Sequence, residues 1–154
     1  VIGRLFKLGW TVLCKFQPVG YDCSTNETSE GRFFYDTSRE DCMTYEYSEC
    51  EPSYNNFLSL GTCVETCRYT GAQPITMNWT ATVYCRFQPD FGDCNSYFPM
   101  FYFDVSLRKC KGFSYSGCGG NHNRFANQRM CAAVCGAAVP YPKNALAFMQ
   151  DDLN

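Results

Sequence analysis

The sequence predicts a small, disulfide-rich α+β fold made of two similar modules. Its 154 residues include 12 cysteines, a content typical of secreted domains that are held together by disulfides. The cysteines fall into two sets of six with nearly the same spacing, which indicates two copies of one module. The first set is Cys14, Cys23, Cys42, Cys50, Cys63 and Cys67, and the second is Cys85, Cys94, Cys110, Cys118, Cys131 and Cys135.

The cysteine positions divide the chain into five segments. The first module spans residues 14–67 and the second spans 85–135. An N-terminal arm, 1–13, precedes them, a tail, 136–154, follows them, and a linker, 68–84, contains the glycine and proline that suit an exposed connection. The first module is three residues longer than the second, because of an insertion between its second cysteine and its first aromatic strand.

Each module holds about 55 residues, too few for a core that stabilises the fold by itself. Disulfides that each contribute about 2–4 kcal/mol would supply the missing stability, so we expect a secreted, extracellular protein that unfolds on reduction. No leader-like segment stands at Val1, and no apolar run approaches the roughly 20 residues that span a membrane, so we expect a processed chain without membrane insertion. Glycosylation motifs at Asn26 and Asn78 agree with a secretory route.

Local patterns predict a hairpin and a helix in each module. In the first copy, residues 32–36 are aromatic and strand-like, residues 37–41 are polar and turn-like, and residues 42–47 alternate with the period of a strand. Ser59 in the first copy and Asn127 in the second suit the N-cap of a short helix. The last two cysteines of each module lie four residues apart, so they would share one face of that helix.

Aromatic and glycine motifs accompany the cysteines. In the second module the cysteines are separated by 8, 15, 7, 12 and 3 residues, and the motifs are FYFD at 101–104, FSYSGCGGN at 113–121 and NRF at 123–125. This pattern resembles the Kunitz family, typified by pancreatic trypsin inhibitor. The first module is similar through FFYD at 33–36 and NNF at 55–57, but its second interval is enlarged.

Six cysteines allow fifteen pairings, and spacing alone does not choose among them. The resemblance implies three bridges per domain, together with a twisted β-hairpin and a short C-terminal helix. The implied pairs are Cys14–Cys67, Cys23–Cys50 and Cys42–Cys63 in the first domain, and Cys85–Cys135, Cys94–Cys118 and Cys110–Cys131 in the second.

The resemblance also implies a reactive loop around the second cysteine of each domain. In Kunitz inhibitors this loop enters the cleft of a serine protease as a substrate would, and the residue after that cysteine fills the main specificity pocket. The implied loop residues are Asp22, Cys23, Ser24 and Thr25 in the first domain, and Gly92, Asp93, Cys94, Asn95, Ser96, Tyr97, Ser116 and Gly117 in the second.

The two specificity positions hold Ser24 and Asn95, and neither supplies the cation that a trypsin-like pocket pairs with its buried carboxylate. We therefore do not expect ordinary trypsin inhibition. The second loop keeps glycine at positions 92 and 117, whereas the first has Tyr21 and Glu49 at the equivalent positions. The second loop is accordingly the one expected to be substrate-like.

Charge differs between the modules. Between Cys14 and Cys67 ten acidic residues outnumber three basic ones, and between Cys85 and Cys135 six basic residues outnumber three acidic ones. The acidic module would be attracted to a basic surface, such as an exosite of a clotting protease, although acidic residues also serve simply for solubility.

Three functions remain open from the sequence. The first is a non-covalent inhibitor of a secreted serine protease. The second is a protease or zymogen binder that uses exosites, and the third is a Kunitz scaffold that binds an ion channel or receptor. Altered loops, an acidic module and added terminal segments resemble the two-Kunitz anticoagulants of tick saliva, which implies a role in host haemostasis and suggests one for the N-terminal arm.

Other chemistries find little support. His122 is the only histidine, so a catalytic triad is not expected and the protein is not predicted to be an enzyme. CxxC pairs are absent, which argues against a metal site. The net charge of −2 gives no sign of a nucleic-acid partner. We expect a monomer that needs no cofactor.

Overall fold

The computed structural model describes residues 8–19, 30–47 and 54–140. Each module consists of a one-turn helix, a two-stranded antiparallel hairpin and a second helix. The elements of the first module are α1 (Trp10–Leu13), β1 (Glu30–Asp36), β2 (Asp41–Tyr47) and α2 (Leu60–Cys67). Those of the second are α3 (Ala81–Tyr84), β3 (Phe98–Asp104), β4 (Lys109–Tyr115) and α4 (Gln128–Ala138).

The first hairpin pairs an aromatic strand, β1, with a strand, β2, whose residues alternate in burial. In β1 and β2, Tyr35 pairs with Cys42 and both are buried, while their neighbours along each strand are more exposed. Strand β1 begins two residues before the predicted start, and β2 begins at Asp41, so the turn covers residues 37–40. The turn ends on Glu40 at a φ of 51°, and Arg108 has a φ of 52° at the equivalent place in the second module.

Helices α2 and α4 begin where the sequence predicts. The Ser59 side chain accepts a hydrogen bond from Thr62 N at 3.1 Å, and the Asn127 side chain accepts one from Met130 N at 2.9 Å. These caps satisfy backbone donors that the first turn of a helix leaves free. The two cysteines of each helix are fully buried, as their shared face predicts.

Disulfides form the centre of each module core. The described residues contain five bridges, and each pairs the cysteines that the family resemblance implies. They are Cys14–Cys67, Cys42–Cys63, Cys85–Cys135, Cys94–Cys118 and Cys110–Cys131. The sixth implied pair, Cys23–Cys50, lies outside the described residues. Around the bridges, one buried asparagine per module, Asn55 or Asn123, donates to the carbonyls of the first cysteine and of the phenylalanine two residues after it.

The two modules pack directly on one another. Phe16 and Phe87 form an antiparallel bridge, and their rings lie 5.8 Å apart. They share a buried cluster with Val12 and Leu13 of α1 and Val83 of α3. The end of the predicted arm and the end of the predicted linker therefore contribute helices to the interface between the modules, which differs from the exposed connection expected for residues 81–84.

A reciprocal exchange of glutamine side chains completes this interface. Gln17 of the first module donates to the carbonyls of Phe87 and Phe103, at 2.9 and 2.7 Å. Gln88 of the second donates to those of Phe16 and Tyr35, at 3.1 and 2.7 Å. These reciprocal contacts relate the two modules by approximate twofold symmetry, as expected for two copies of one sequence.

Within the described parts of the chain, every helix is too short or too polar to cross a membrane.

Candidate protease-binding loop

The predicted residues of the second loop lie together at one end of the second module. We call residues 91–97, with the opposing residues 115–118, loop 2. The Cys94–Cys118 bridge joins its two sides, with the two Cα atoms 5.4 Å apart. A bridge of this kind keeps both ends of the loop in place even where no strand pairing holds them.

Backbone hydrogen bonds join the two sides above and below the bridge. Ser116 N donates to Phe91 O at 2.7 Å, and Ser96 N donates to Ser116 O at 3.0 Å. Asp93 N donates to Cys118 O at 3.0 Å. Loop 2 is therefore bound to the end of the hairpin on both sides of the disulfide, which leaves residue 95 at an outer bend.

Ser116 is the buried polar centre of loop 2. It is fully buried, and its hydroxyl accepts a hydrogen bond from Cys94 N at 3.0 Å and donates one to Cys118 O at 3.1 Å. A buried hydroxyl with both roles filled contributes to stability, whereas loss of one partner would leave a costly unpaired group. Ser116 therefore fixes the backbone around the bridge.

Two glycines permit the close approach of the two sides. Gly92 has a φ of 91°, and a Cβ atom there would collide with Cys118 O and lie 2.7 Å from the Ser116 hydroxyl oxygen. Gly117 has a φ of 112°, and a Cβ there would lie 3.1 Å from the Phe98 ring. These backbone angles are open to glycine and resisted by other residues.

The outer surface of loop 2 is exposed and aromatic. Asn95 and Ser96 are exposed, and the Tyr97 side chain is 78% exposed. The Tyr97 ring lies 5.6 Å from that of Phe91, and Phe98 is half exposed beyond it. Tyr and Phe supply large contact area at a small cost in side-chain entropy, so this surface is suited to binding another protein.

A second segment, residues 119–124, supports loop 2 from behind. The Tyr115 hydroxyl donates to Gly119 O at 2.9 Å. The Arg124 guanidinium lies 3.9 Å from the centre of the Tyr115 ring and donates to Asn121 O at 2.7 Å. The sole histidine, His122, is exposed and its ring contacts that of Tyr84.

The predicted residues of the first loop, Asp22, Cys23, Ser24 and Thr25, lie outside the described residues, as do Asn26, Tyr21 and Glu49. The structure does describe the segment that leads to them. Val19 is 5% exposed and belongs to the buried cluster of the second module, together with Phe103, Val105 and Val139. The chain that enters the first loop is therefore part of the core of the other module.

A polar cleft of about 450 Å³ lies between the first module, the linker and the loop 2 end of the second module. It is lined by Lys15, Tyr35, Thr37, Gly71 and Asp90, among others. The Lys15 ammonium donates to the carbonyls of Thr11, Gly71 and Gln73, and burial lowers the pKa of this lysine while Asp90 acts to raise it. Burial, and to a smaller degree Glu40 and Asp41, raises the pKa of Tyr35.

The contact between the modules is not predicted from the sequence. Gln17, Gln88 and Val19 take part in it, and one sequence signal for it is present. The triplet Phe-Gln-Pro occurs at residues 16–18 and again at 87–89, two residues after the first cysteine of each module. A repeated polar residue between an aromatic residue and a proline was a clue to a shared contact.

No group of His, Cys, Asp and Glu side chains suited to a metal ion occurs within residues 8–19, 30–47 and 54–140. The Asn78 glycosylation motif lies on an exposed stretch before α3, where a glycan would have room.

The family model for the Kunitz/Bovine pancreatic trypsin inhibitor domain matches residues 13–68 and 84–136. The chain belongs to this family. The two matched stretches correspond to the two modules of the structure, and the small disulfide-rich α+β fold with two Kunitz domains is confirmed. The family is one of protease inhibitors.

Relatives carry both modules. The protein "Actinia tenebrosa protease inhibitors" of Actinia tenebrosa is 34% identical over 68% of this chain and 37% of its own length. Inter-alpha-trypsin inhibitor of Equus caballus is 33% identical over 68% of this chain and 74% of its own. The chain thus spans little more than a third of the length of the first relative.

Among solved structures, the NMR structure of Ixolaris, studied with its Factor X interaction, is 23% identical. It covers 82% of this chain and 96% of its own, with a TM-score of 0.33.

Proposed function

We propose that this Kunitz protein is a secreted, non-covalent serine-protease inhibitor that acts through loop 2, with Asn95 entering the main specificity pocket of the protease. The observation that carries the proposal is the exposed bend at Asn95 on a backbone held from both sides by the Cys94–Cys118 bridge and by hydrogen bonds. A loop already held in its bound shape loses little conformational entropy on docking. If its peptide bond is cut, the held ends stay in place and the bond can re-form.

Asn95 directs the inhibitor away from trypsin. The trypsin-like pocket contains a buried carboxylate that needs a cationic partner, and a neutral amide leaves that charge unpaired. Asn95 also buries little apolar area. The exposed rings of Tyr97 and Phe98 supply that area next to it, so we expect the target to have an apolar surface beside its specificity pocket.

One protease per chain is expected. The first loop has Tyr21 and Glu49 where loop 2 has Gly92 and Gly117, and its cysteine interval is enlarged, so we do not expect it to have a substrate-like shape. The first module has other roles available to it. Its ten acidic residues favour a second candidate function, in which it binds a basic exosite of a clotting protease or its zymogen.

A role in host haemostasis is the physiological part of the proposal, and it rests on the resemblance to salivary two-Kunitz anticoagulants together with the acidic first module. Secretion rests on the disulfide content, since such bridges persist in oxidising compartments.

The test is a panel of trypsin-like, chymotrypsin-like, elastase-like and clotting proteases, each assayed with a small peptide substrate and with a protein substrate. We expect the full chain to block small-substrate turnover by at least one protease outside the trypsin class. Protection of protein substrates alone would favour exosite binding. No effect on either substrate would overturn the inhibitor proposal and leave channel or receptor binding.

A gain-of-function variant tests the loop independently of the natural target. Asn95→Lys supplies the cation that the trypsin pocket requires, so trypsin inhibition is expected if loop 2 has a substrate-like shape. Continued failure to inhibit trypsin would contradict the proposal, because the loop would then not present residue 95 to a protease.

A further inference from the structure

The chain that leads into loop 2 is held by the first module. We call residues 87–90 the second leg and the equivalent residues 16–19 the first leg. Phe87 and Gln88 of the second leg are buried. Gln88 N donates to Lys15 O at 2.9 Å, and its side chain donates to the carbonyls of Phe16 and Tyr35. Every one of these partners belongs to the first module.

The acceptor side of the Gln88 amide is filled by the first module as well. Its Oε1 atom accepts hydrogen bonds from Thr37 N at 3.0 Å and from the Thr37 hydroxyl at 3.1 Å. The side chain thus spans from the first leg to the hairpin turn of the first module. A buried amide with both of its ends paired is costly to displace, because each lost partner leaves a desolvated polar group.

A short path connects Gln88 to the loop. The Asn121 side chain, in the segment behind loop 2, donates to Gln88 O at 2.9 Å. Two residues further along the chain, Asp90 accepts a hydrogen bond from Gly92 N at 2.9 Å. Phe91 O then accepts from Ser116 N, inside loop 2 itself. Gln88 therefore lies only three residues before the start of loop 2, and hydrogen bonds connect the residues between them to the loop.

We propose that the first module is an intramolecular support for loop 2 and that Gln88 is the positioning residue that transmits this support. The inference rests on the proposed function of loop 2. A loop that is fixed at its entry as well as at its disulfide has less freedom to lose on binding, and its cut ends stay closer together. The first module thereby contributes to inhibition without a protease touching it.

Gln17 provides a matched control because it makes the same type of contact in the opposite direction. Its amide donates to carbonyls of the second module, and its Oε1 accepts from Val105 N at 3.0 Å. Gln17 lies on the first leg, which leads away from loop 2. Removing either glutamine removes contacts across the same interface. Gln17 touches the second leg only at Phe87 O, whereas Gln88 is part of that leg, lies one residue nearer to Asn95 and is bonded to Asn121 behind loop 2. Loss of Gln88 is therefore expected to disturb loop 2 more than loss of Gln17.

The experiment uses the full chain carrying Asn95→Lys, so that trypsin reports on loop 2. Gln88→Ala and Gln17→Ala are compared in this background by thermal unfolding, by the dissociation rate of the trypsin complex and by the rate at which trypsin cuts the bond after position 95. We expect Gln88→Ala to raise dissociation and cutting about tenfold, since both depend on loop order. Gln17→Ala should lower the melting temperature by about as much as Gln88→Ala does. It should change the dissociation rate and the cutting rate by less than about twofold.

Equal changes in both variants, or no change in either, would overturn the support role while leaving the proposed function intact. Failure of the Asn95→Lys parent to inhibit trypsin would overturn both. The two failures are therefore distinguishable.

Thr37→Val gives a gentler test that preserves folding. It removes one hydroxyl bond to Gln88 and installs the residue that the second module has at the equivalent position, Val105. Thr37 lies in the first module, so a faster dissociation of trypsin from loop 2, by about two- to threefold, is expected only if support passes through Gln88. An unchanged dissociation rate in a normally folded variant would contradict the proposal.

Discussion

The two legs begin with the same Phe-Gln-Pro triplet and end in opposite environments. The first leg ends in Val19, which is 5% exposed within the apolar core of the second module. The second leg ends in Asp90, which is exposed beside a polar cleft and near the Lys15 ammonium. Both legs are buried at Phe and Gln, so the two copies of one scaffold differ in exposure at the residue that follows the shared triplet.

The residues around the end of each leg match the polarity of the last residue of that leg. Around Val19 the second module places Phe103, Val105 and Val139. At the equivalent positions around Asp90 the first module has Tyr35, Thr37 and Gly71, two of them polar and one without a side chain. Apolar side chains pack around Val19 and fill the space beside it. The polar groups around Asp90 leave a cleft that is open to water.

Exchanging the last residues of the legs should give the largest effect. Val19→Asp places a carboxylate in an apolar core without a partner, and we expect a loss of about 3 kcal/mol or more in the free energy of unfolding. Asp90→Val alters an exposed position and should change that free energy by less than about 1 kcal/mol. Urea unfolding of the full chain measures both, and equal losses would contradict the burial of the first leg.

A lysine at each specificity position tests the loops themselves. Asn95→Lys should tighten trypsin binding on the order of a hundredfold, because a buried charge pair replaces an unpaired carboxylate. Ser24→Lys, in the first loop, should leave trypsin inhibition unchanged, since Tyr21 and Glu49 replace the glycines that loop 2 has at a positive φ at positions 92 and 117. Inhibition constants for trypsin check this pair, and similar gains in both variants would show that the two loops are equally available.

Gly92 is a position where the sequences of the two loops differ. The first loop has Tyr21 there, whereas loop 2 has a glycine at a φ of 91°, where a Cβ atom would collide with Cys118 O. Gly92→Ala should displace the Cys94 side of the loop and weaken the Asn95→Lys inhibitor by at least about tenfold. Gly61→Ala, in α2, has open space around its Cβ and serves as the control that leaves inhibition unchanged.

Tyr97 should give the smallest effect that remains clear. Tyr97→Ala removes an exposed ring beside Asn95, and we expect it to weaken protease binding by about tenfold without changing the melting temperature. Tyr69 is 75% exposed and lies on the first module, so Tyr69→Ala is a matched control. Equal losses of protease binding in the two variants would show that the aromatic surface of loop 2 has no specific role in binding.

Much of each module could be predicted from the sequence because its signals are local. The hairpins follow from alternation over a few residues, and the helix starts follow from Ser59 and Asn127, whose side chains make the expected cap bonds. The five described bridges pair as the family resemblance implies. The roles of the individual loop residues stay a prediction.

The contact between modules could not be predicted in the same way. It depends on Gln17 and Gln88 meeting backbone carbonyls of a different module, and no local period encodes such a meeting. Helices α1 and α3 have four residues each, too short for periodicity to reveal. Val12 and Val83 are buried in a cluster to which both modules contribute.

The most direct test of a single presented loop is the number of trypsin molecules bound by the full chain that carries both Ser24→Lys and Asn95→Lys. Native mass spectrometry counts the bound protease, and peptide mapping locates any cut. We expect one trypsin per chain, with cutting confined to the bond after position 95. Two trypsin molecules per chain, or an intact complex formed at position 24, would contradict it.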